Sequence, residues 1–318
     1  MGEFELIDEI VAQLGDAADS PAVIIGPGDD AAVIAVPDGH HLVTSVDTLV
    51  ADLHFPREAP AELIAQRAMR ISVSDLAAMG AEPLAAVIAL VLPQHTCVDW
   101  VRGLSQGFAQ AAKTLGCPVT GGNLTAGELA ISVTVQGVVP AGDAIVRSGA
   151  RSGDRVWVSG ALGGAATALA QGNLAQVDAD SLSLDAAQTH YYLPAPQIEL
   201  GVALRSIATS AIDISDGFAA DLGHIAASSG IAIELDEAAI PRFQSATKTA
   251  VLHGGDDYML CFTAPQQFSS AILDIAPDAR AVGVCIPWNA QFNSRLFLDG
   301  KPLRAAGFDH FSSSSDRG

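Results

Sequence analysis

The sequence predicts a two-domain protein of mixed α/β (α+β) structure, on three observations. Strand-like and helix-like apolar patterns alternate through both halves, which requires helices packed on sheets. The chain has 318 residues, more than one ordinary domain, and 49% are hydrophobic, enough to bury two cores. Near the middle lies a polar, glycine-bearing stretch, Arg147-Ser-Gly-Ala-Arg-Ser-Gly-Asp154, which divides the chain into domains 1–148 and 149–318.

Residues 3–14 place Phe4, Ile7, Ile10, Val11 and Leu14 at helical spacing. Strand-like runs follow at 22–36 and 42–50. The first is interrupted by the tight loop Gly26-Pro27-Gly28-Asp29-Asp30, and the second carries Asp47. Residues 60–79 are alanine-rich and helix-compatible, with Ser72-Val73-Ser74-Asp75 reading as a local cap or kink. Residues 84–92 form a buried strand by length and β-branched content. A helix over 99–115 ends at Gly116, the expected C′ glycine. Val119 leads into Gly121-Gly122-Asn123, and 130–139 is a further strand.

In the second half, 155–159 is a strand and 160–170 a glycine-rich turn into a helix. Residues 173–196 read as irregular, and 197–207 as a helix. A strand over 211–215 turns at Asp216-Gly217 into a helix through Ala227. Strands at 231–235, 258–263, 281–285 and 295–298 follow, and the polar tail 312–318 reads as disordered.

Charge narrows the partners. The formal net charge is −20, and only Lys113, Lys248 and Lys301 are lysines, so nucleic acid and anionic membrane surfaces are not expected partners. The longest apolar run, 84–92, falls short of the ~20 residues that span a bilayer. The start shows no basic segment ahead of an apolar one, and the four cysteines form no Cys-x-x-Cys pair. These features predict a soluble, cytoplasmic protein without structural zinc or a disulfide framework.

Five stations repeat one theme, an acidic or amide side chain near an apolar run: Gly28-Asp29-Asp30, Ser45-Val46-Asp47, Ser74-Asp75, Gly121-Gly122-Asn123 and Asp213-Ile214-Ser215-Asp216-Gly217. Each alone has an ordinary reading, such as Ser74 or Asp216 capping a helix. Together they read as a cation site. Carboxylates converging at ~4 Å repel by about 4 kcal/mol per pair unless cations hold them, and oxygen-ligated divalent cations usually accompany phosphates. The chain has no P-loop; Gly160-Ala-Leu-Gly-Gly-Ala-Ala-Thr167 has the glycines without the lysine.

The motifs Gly-Asp-Asp (28–30), Val-Asp-Thr-Leu-Val (46–50) with His54-Phe55, Ser-Asp-Leu-Ala-Ala-Met-Gly-Ala (74–81), Arg-Ser-Gly-Ala (147–150), Ile-Asp-Ile-Ser-Asp-Gly (212–217), Gly-Gly-Asp-Asp-Tyr (254–258) and Phe-Asp-His-Phe (308–311) stand in one order. In that order the chain resembles the thiamine-monophosphate kinase family from Glu3 to Phe311. The resemblance implies the two-domain fold of the aminoimidazole-ribonucleotide-synthetase-like superfamily and a homodimer built through the N-terminal sheets. It implies phosphorylation of thiamine monophosphate to thiamine diphosphate by direct in-line transfer from ATP, with several Mg²⁺ ions and no side chain assigned as acid or base. By matching position it implies metal ligands at Asp30, Ser45, Asp47, Asp75, Asn123, Asp213 and Asp216. It further implies ATP contacts at Gly122, Asn123, Arg147 and Ser215, and thiamine-side contacts at His54, Asp256 and Phe308.

The chain departs from the family pattern inside these motifs. Asn123 stands where the family has a metal-binding aspartate, Val46 replaces a threonine, Ser72 an asparagine, and Asp256 a glutamate. Leu193 and Gln197 occupy the arginine positions of an Arg-Pro-x-Pro-Arg motif. These departures motivate a second expectation, a protein that binds nucleotide or thiamine phosphate with little turnover.

Overall fold

The computed structural model describes residues 3–178 and 181–308. The tail 312–318, and Asp309, His310 and Phe311 of the terminal motif, lie outside the described residues, as do Met1 and Gly2. In chain order the first elements are α1 (Glu3–Leu14), β1 (Val23–Ile25), β2 (Val33–Ile34), β3 (His40–Val50), α2 (Ala61–Ala78), β4 (Glu82–Leu92), α3 (Val98–Leu115), β5 (Val119–Ala126) and β6 (Ala130–Pro140). Next come β7 (Arg155–Val158), α4 (Gly164–Gln171), α5 (Ala186–Tyr192), α6 (Ile198–Ala203), β8 (Ser210–Asp213), α7 (Phe218–Ser229) and β9 (Ile231–Leu235). The last are α8 (Lys248–His253), β10 (Leu260–Ala264), α9 (Ser269–Ile275), β11 (Arg280–Pro287), β12 (Leu296–Leu298) and β13 (Lys301–Leu303). Contacts divide the chain into one unit of Met1–Ala144 with Gln171–Val202 and a second of Ile145–Ala170 with Ala203–Gly318.

The first unit is built on a four-stranded sheet of order β3-β6-β4-β5, parallel only between β4 and β5. Strand β3 shows why it has two faces. Val43, Ser45, Asp47 and Leu49 turn inward, and Thr44, Val46 and Thr48 are exposed, the period of two that a pleated strand imposes. Helix α2 lies against this sheet and is buried on nearly every side, from Leu63 and Ile64 through Met69 and Val73 to Leu76. It runs unbroken through 72–75, so the expected cap or kink does not form. Ser72 Oγ instead donates to Ala68 O at 3.1 Å, a bond satisfied within the helix. Helix α3 packs on α2 so closely that a Cβ on Gly107 would stand 2.3 Å from Glu62 O. The left-handed Gly116 ends α3 at φ 61°, as its sequence position predicts.

The second unit carries a seven-stranded sheet, β13-β12-β9-β11-β7-β10-β8, antiparallel except for β12 on β9. Phe218, Leu222 and Ile225 of α7 are fully buried in one core with Val156, Val158, Ile212, Ile233 and Cys261. One other expectation needs correction. Residues 173–196 are not irregular throughout, because Asp185 and Gln188 form a reciprocal capping box that starts α5. Gly121, Gly122 and Asn123 lie inside β5, paired along β4. Among the described residues no helix is long and apolar enough to cross a membrane.

Candidate active site

In the first unit, β3 and α2 bring together four of the polar side chains in question. The two-residue period of β3 turns Ser45 and Asp47 to one face, and the helical i, i+3 spacing puts Ser72 and Asp75 on one side of α2. Ser45 Oγ donates to Asp75 Oδ2. The Ser72 hydroxyl also stands within hydrogen-bond reach of Asp47. Burial pushes the Asp47 carboxyl up to about 6, repulsion from Asp75 adds to this, and Ser72 offsets part of it.

The donor set here is oxygen only, two carboxylates and two hydroxyls, and among the described residues no basic side chain forms an ion pair with either carboxylate. That is the chemistry a hard divalent cation fits, since Mg²⁺ takes one or two carboxylates and fills its remaining positions with water or phosphate oxygens. The carboxylates form a pair rather than a ring. Among the described residues no three His, Cys, Asp or Glu side chains are arranged to hold a metal.

Asp30 is exposed on the β1–β2 loop, where its N–H donates to Asp29 Oδ1 at 2.8 Å and Gly28 supplies the φ of 116° that the turn requires. Asn123 is exposed on β5. Its register partners run Ala89, Ser132 and Thr48 across the sheet, so it belongs to the face opposite Asp47. It also lies three strands from β3, about 14 Å. One copy of the sheet therefore does not gather Asp47 and Asn123 around one ion. Gly122, whose Cβ position falls 2.1 Å from Ile88 O, is glycine because β4 leaves no room for a side chain.

His54 follows β3 and is fixed at both ends. Its Nδ1 accepts from Val50 N at 2.9 Å, which places the neutral ring's proton on Nε2. Its carbonyl accepts from Tyr191 Oη at 2.7 Å and Arg67 Nε at 3.3 Å. Arg67, 2% exposed, also donates to Tyr191 O at 2.7 Å and stacks on the Tyr191 ring at 4.0 Å. Arg70 donates to Pro194 O at 3.3 Å. The segment around Leu193 is thus held by two arginines of α2, a role the sequence did not assign to either.

In the second unit, β8 delivers Asp213, nearly buried, to a turn that carries Ser215 and Asp216 before Gly217 opens α7. Asp216 does not cap that helix. The backbone N–H groups of Ser215, Asp216 and Gly217 all donate to Asp221 Oδ2, at 3.0, 3.1 and 3.1 Å. Burial pushes the Asp221 carboxyl up to about 7, with repulsion from Asp216 behind it, and the three N–H bonds offset part of the rise.

The carbonyls of the same turn are bonded as well: Ile214 O accepts from Tyr258 N at 2.8 Å, Ser215 O from Asp256 N at 2.8 Å, and Asp216 O from Phe308 N at 2.9 Å. Asp256 and Tyr258 both have left-handed backbones, φ 67° and 50°, and Tyr258 Oη donates to Asp256 Oδ1 at 2.9 Å. Between them Asp257 is buried and accepts from Gly163 N through both oxygens at 2.9 Å. Burial pushes its carboxyl up to about 7. The glycine-rich turn at 160–164 thus already has an internal carboxylate against its free N–H groups. Arg147 is exposed, and its carbonyl accepts from Ser228 and Ser229 hydroxyls at 3.4 Å. Asp221, Asp257 and Arg67 are the residues sequence reasoning missed. The signals present were an acidic residue in the first turn of α7 and a doubled aspartate at 256–257.

Comparison with known proteins also divides the chain in two, with 171–202 falling in the C-terminal match. Residues 28–139 match the family described as AIR synthase related protein, N-terminal domain, and 141–288 match its C-terminal domain. The thiamine-monophosphate kinase of Haemophilus influenzae is 36% identical over 99% of this chain and 99% of its own. The crystal structure of thiamine-monophosphate kinase from Stenotrophomonas maltophilia superposes with a TM-score of 0.83 at 34% identity, covering 95% of this chain and 98% of that one. AaThiL complexed with AMPPCP and TMP superposes with a TM-score of 0.76 at 28% identity, covering 98% and 97%.

Proposed function

The chain belongs to the thiamine-monophosphate kinase family, and we propose that it uses ATP to phosphorylate thiamine monophosphate to thiamine diphosphate. The observation that carries this reading is similarity to such kinases along nearly the whole chain, including one solved with an ATP analogue and TMP. Nothing in those relatives favours a binding protein with little turnover.

The reaction asks little of acid–base side chains. The nucleophile is a phosphate oxygen of the substrate, already ionised near neutral pH, so alignment and charge neutralisation supply most of the rate. When bound, Mg²⁺ would neutralise the triphosphate and the developing charge on the transferred group. Asp47 and Asp75, with the Ser45 hydroxyl, are the residues we expect to hold it in the first unit. Asp30, Asp213, Asp216 and Asn123 are assigned as further ligands. Gly122, Asn123, Arg147 and Ser215 are assigned to ATP. The Nε2–H of His54, the carboxylate of Asp256 and the ring of Phe308 are assigned to the thiamine side. We place the reaction in the cytoplasm.

We further propose that the working form is a homodimer built through the four-stranded sheet. Its outer face leaves Leu42, Val46 and Val50 exposed, Val46 by 60%, and both edge strands, β3 and β5, carry site residues. A second copy joined edge to edge would bring β5 of one chain to β3 of the other and shorten the three-strand distance of Asn123 from Asp47, with the two still on opposite faces. Val46→Lys should then yield a monomer by sedimentation with little product formation; a monomeric wild type would exclude this arrangement. The reaction itself is tested by incubating purified protein with thiamine monophosphate, ATP and Mg²⁺. Thiamine diphosphate is expected, and its absence at saturating Mg²⁺ would overturn the reading.

A further inference from the structure

The turn after β8 presents three successive backbone N–H groups, those of Ser215, Asp216 and Gly217, toward one point. Such a concavity ordinarily receives an external anion, a phosphate above all. Here it is filled from within by one oxygen of Asp221, which is 2% exposed. The ligand-facing business of this turn therefore belongs to its side chains, Asp213, Ser215 and Asp216, and its amide groups are committed inward.

The opposite edge of the same turn is committed too. The carbonyls of Ile214, Ser215 and Asp216 accept from the amides of Tyr258, Asp256 and Phe308. Two of the three thiamine-side residues are thus attached by their own backbone to the turn that carries the metal-side aspartates. The turn requires glycine at 217, which sits at φ 126° and where any Cβ would meet the His253 backbone at 2.9 Å.

We propose that Asp221 is a positioning residue that holds the metal-side and thiamine-side groups of the second unit in one frame. The proposal rests on reading the chain as a thiamine-monophosphate kinase. If Asp221 were only a helix cap, its loss would lower stability and leave ligand affinities and the 256–308 backbone unaffected.

The test compares Asp221→Asn and Asp221→Ala with Asp154→Asn. Asp154 is a buried carboxylate of the same unit, but it accepts from Arg151 N at 2.9 Å and Thr209 Oγ1 at 2.7 Å, away from the turn. Hydrogen exchange on the protein without ligand is the first readout. In the Asp221 variants the amides of 256, 258 and 308 should lose protection together with those of 215–217, and in Asp154→Asn they should not. Calorimetry with an ATP analogue plus Mg²⁺, and with thiamine monophosphate, is the second. Both affinities should fall about ten-fold or more, as expected for losing charge-assisted bonds. Faster exchange confined to 215–217, or an unchanged affinity for either ligand in a folded variant, would overturn the proposal. Failure of the wild type to form thiamine diphosphate would overturn the kinase reading alone, because the exchange experiment reports on Asp221 regardless.

Discussion

Asp47 ionises against its surroundings. Its carboxylate is held in a largely desolvated position beside Asp75, so at neutral pH it carries its charge at a cost the fold must bear. Asp47→Asn removes that repulsion while keeping an oxygen near Ser72. Without Mg²⁺ the variant should therefore be more stable than wild type, by about 2 kcal/mol. With Mg²⁺ the order should reverse, because wild type gains a ligand the variant cannot hold. Thermal melts with and without Mg²⁺ check both halves; equal melting without Mg²⁺ would remove Asp47 from the pair. The sequence showed that Asp47 and Asp75 were candidates, but the Ser72 bridge was legible only as a departure from a motif. It required knowing that α2 runs straight through 72–75 and brings its i, i+3 pair against β3.

At the level of elements, the joint between α2 and α3 is close packing that supports this cluster. Gly103 and Gly107 stand one turn apart on α3, and a Cβ at 107 would fall 2.3 Å from Glu62 O and 2.8 Å from Ala65 Cβ. Two effects of opposite sign act on Gly107→Ala. Helix propensity favours alanine by about 1 kcal/mol. Backbone overlap costs more, since the helices must separate, and overpacking of this kind typically costs 1–3 kcal/mol. A net loss of about 1 kcal/mol or more in urea unfolding is expected; a gain would mean that α3 slides without penalty. The sequence indicated α3 and its glycine end correctly, because both are local signals. It left α5 unread, because Asp185 and Gln188 form a capping box followed by only a short helix, too brief for periodicity to register.

For the whole molecule the dominant electrostatic fact is excess acid. Three carboxylates, the half-buried Asp47 and the buried Asp221 and Asp257, have folded-state values raised from 3.8 to about 6, 7 and 7, in each case chiefly by desolvation. A raised carboxyl binds protons more readily in the folded state than in the unfolded one. Its contribution is therefore present in full below about pH 4 and is lost as pH rises through the folded value. Without Mg²⁺, stability is expected to fall between about pH 4 and pH 7, and self-repulsion from a net charge of −20 acts in the same direction. Mg²⁺ should restore the part owed to Asp47. Urea midpoints across that range, with and without Mg²⁺, provide the measurement; a midpoint that rises with pH in the absence of Mg²⁺ would contradict it.

By itself the sequence determined what rests on neighbours along the chain. Strand period, helix spacing, the Gly116 stop, the order of the aspartate motifs and the family they indicate are all written within a few residues of each position. Tertiary structure alone decided which of those motifs meet. Asp47 and Asp75 are brought together by a sheet–helix contact, and Asn123 is separated from Asp47 by three strands and the thickness of the pleat. The turn Asp213–Gly217 acquires its inner anion from Asp221 and its outer bonds from residues 256, 258 and 308. A carboxylate's role depends on what stands within a few ångströms of it, and for Asp75 and Asp257 those neighbours come from strands and turns tens of residues away.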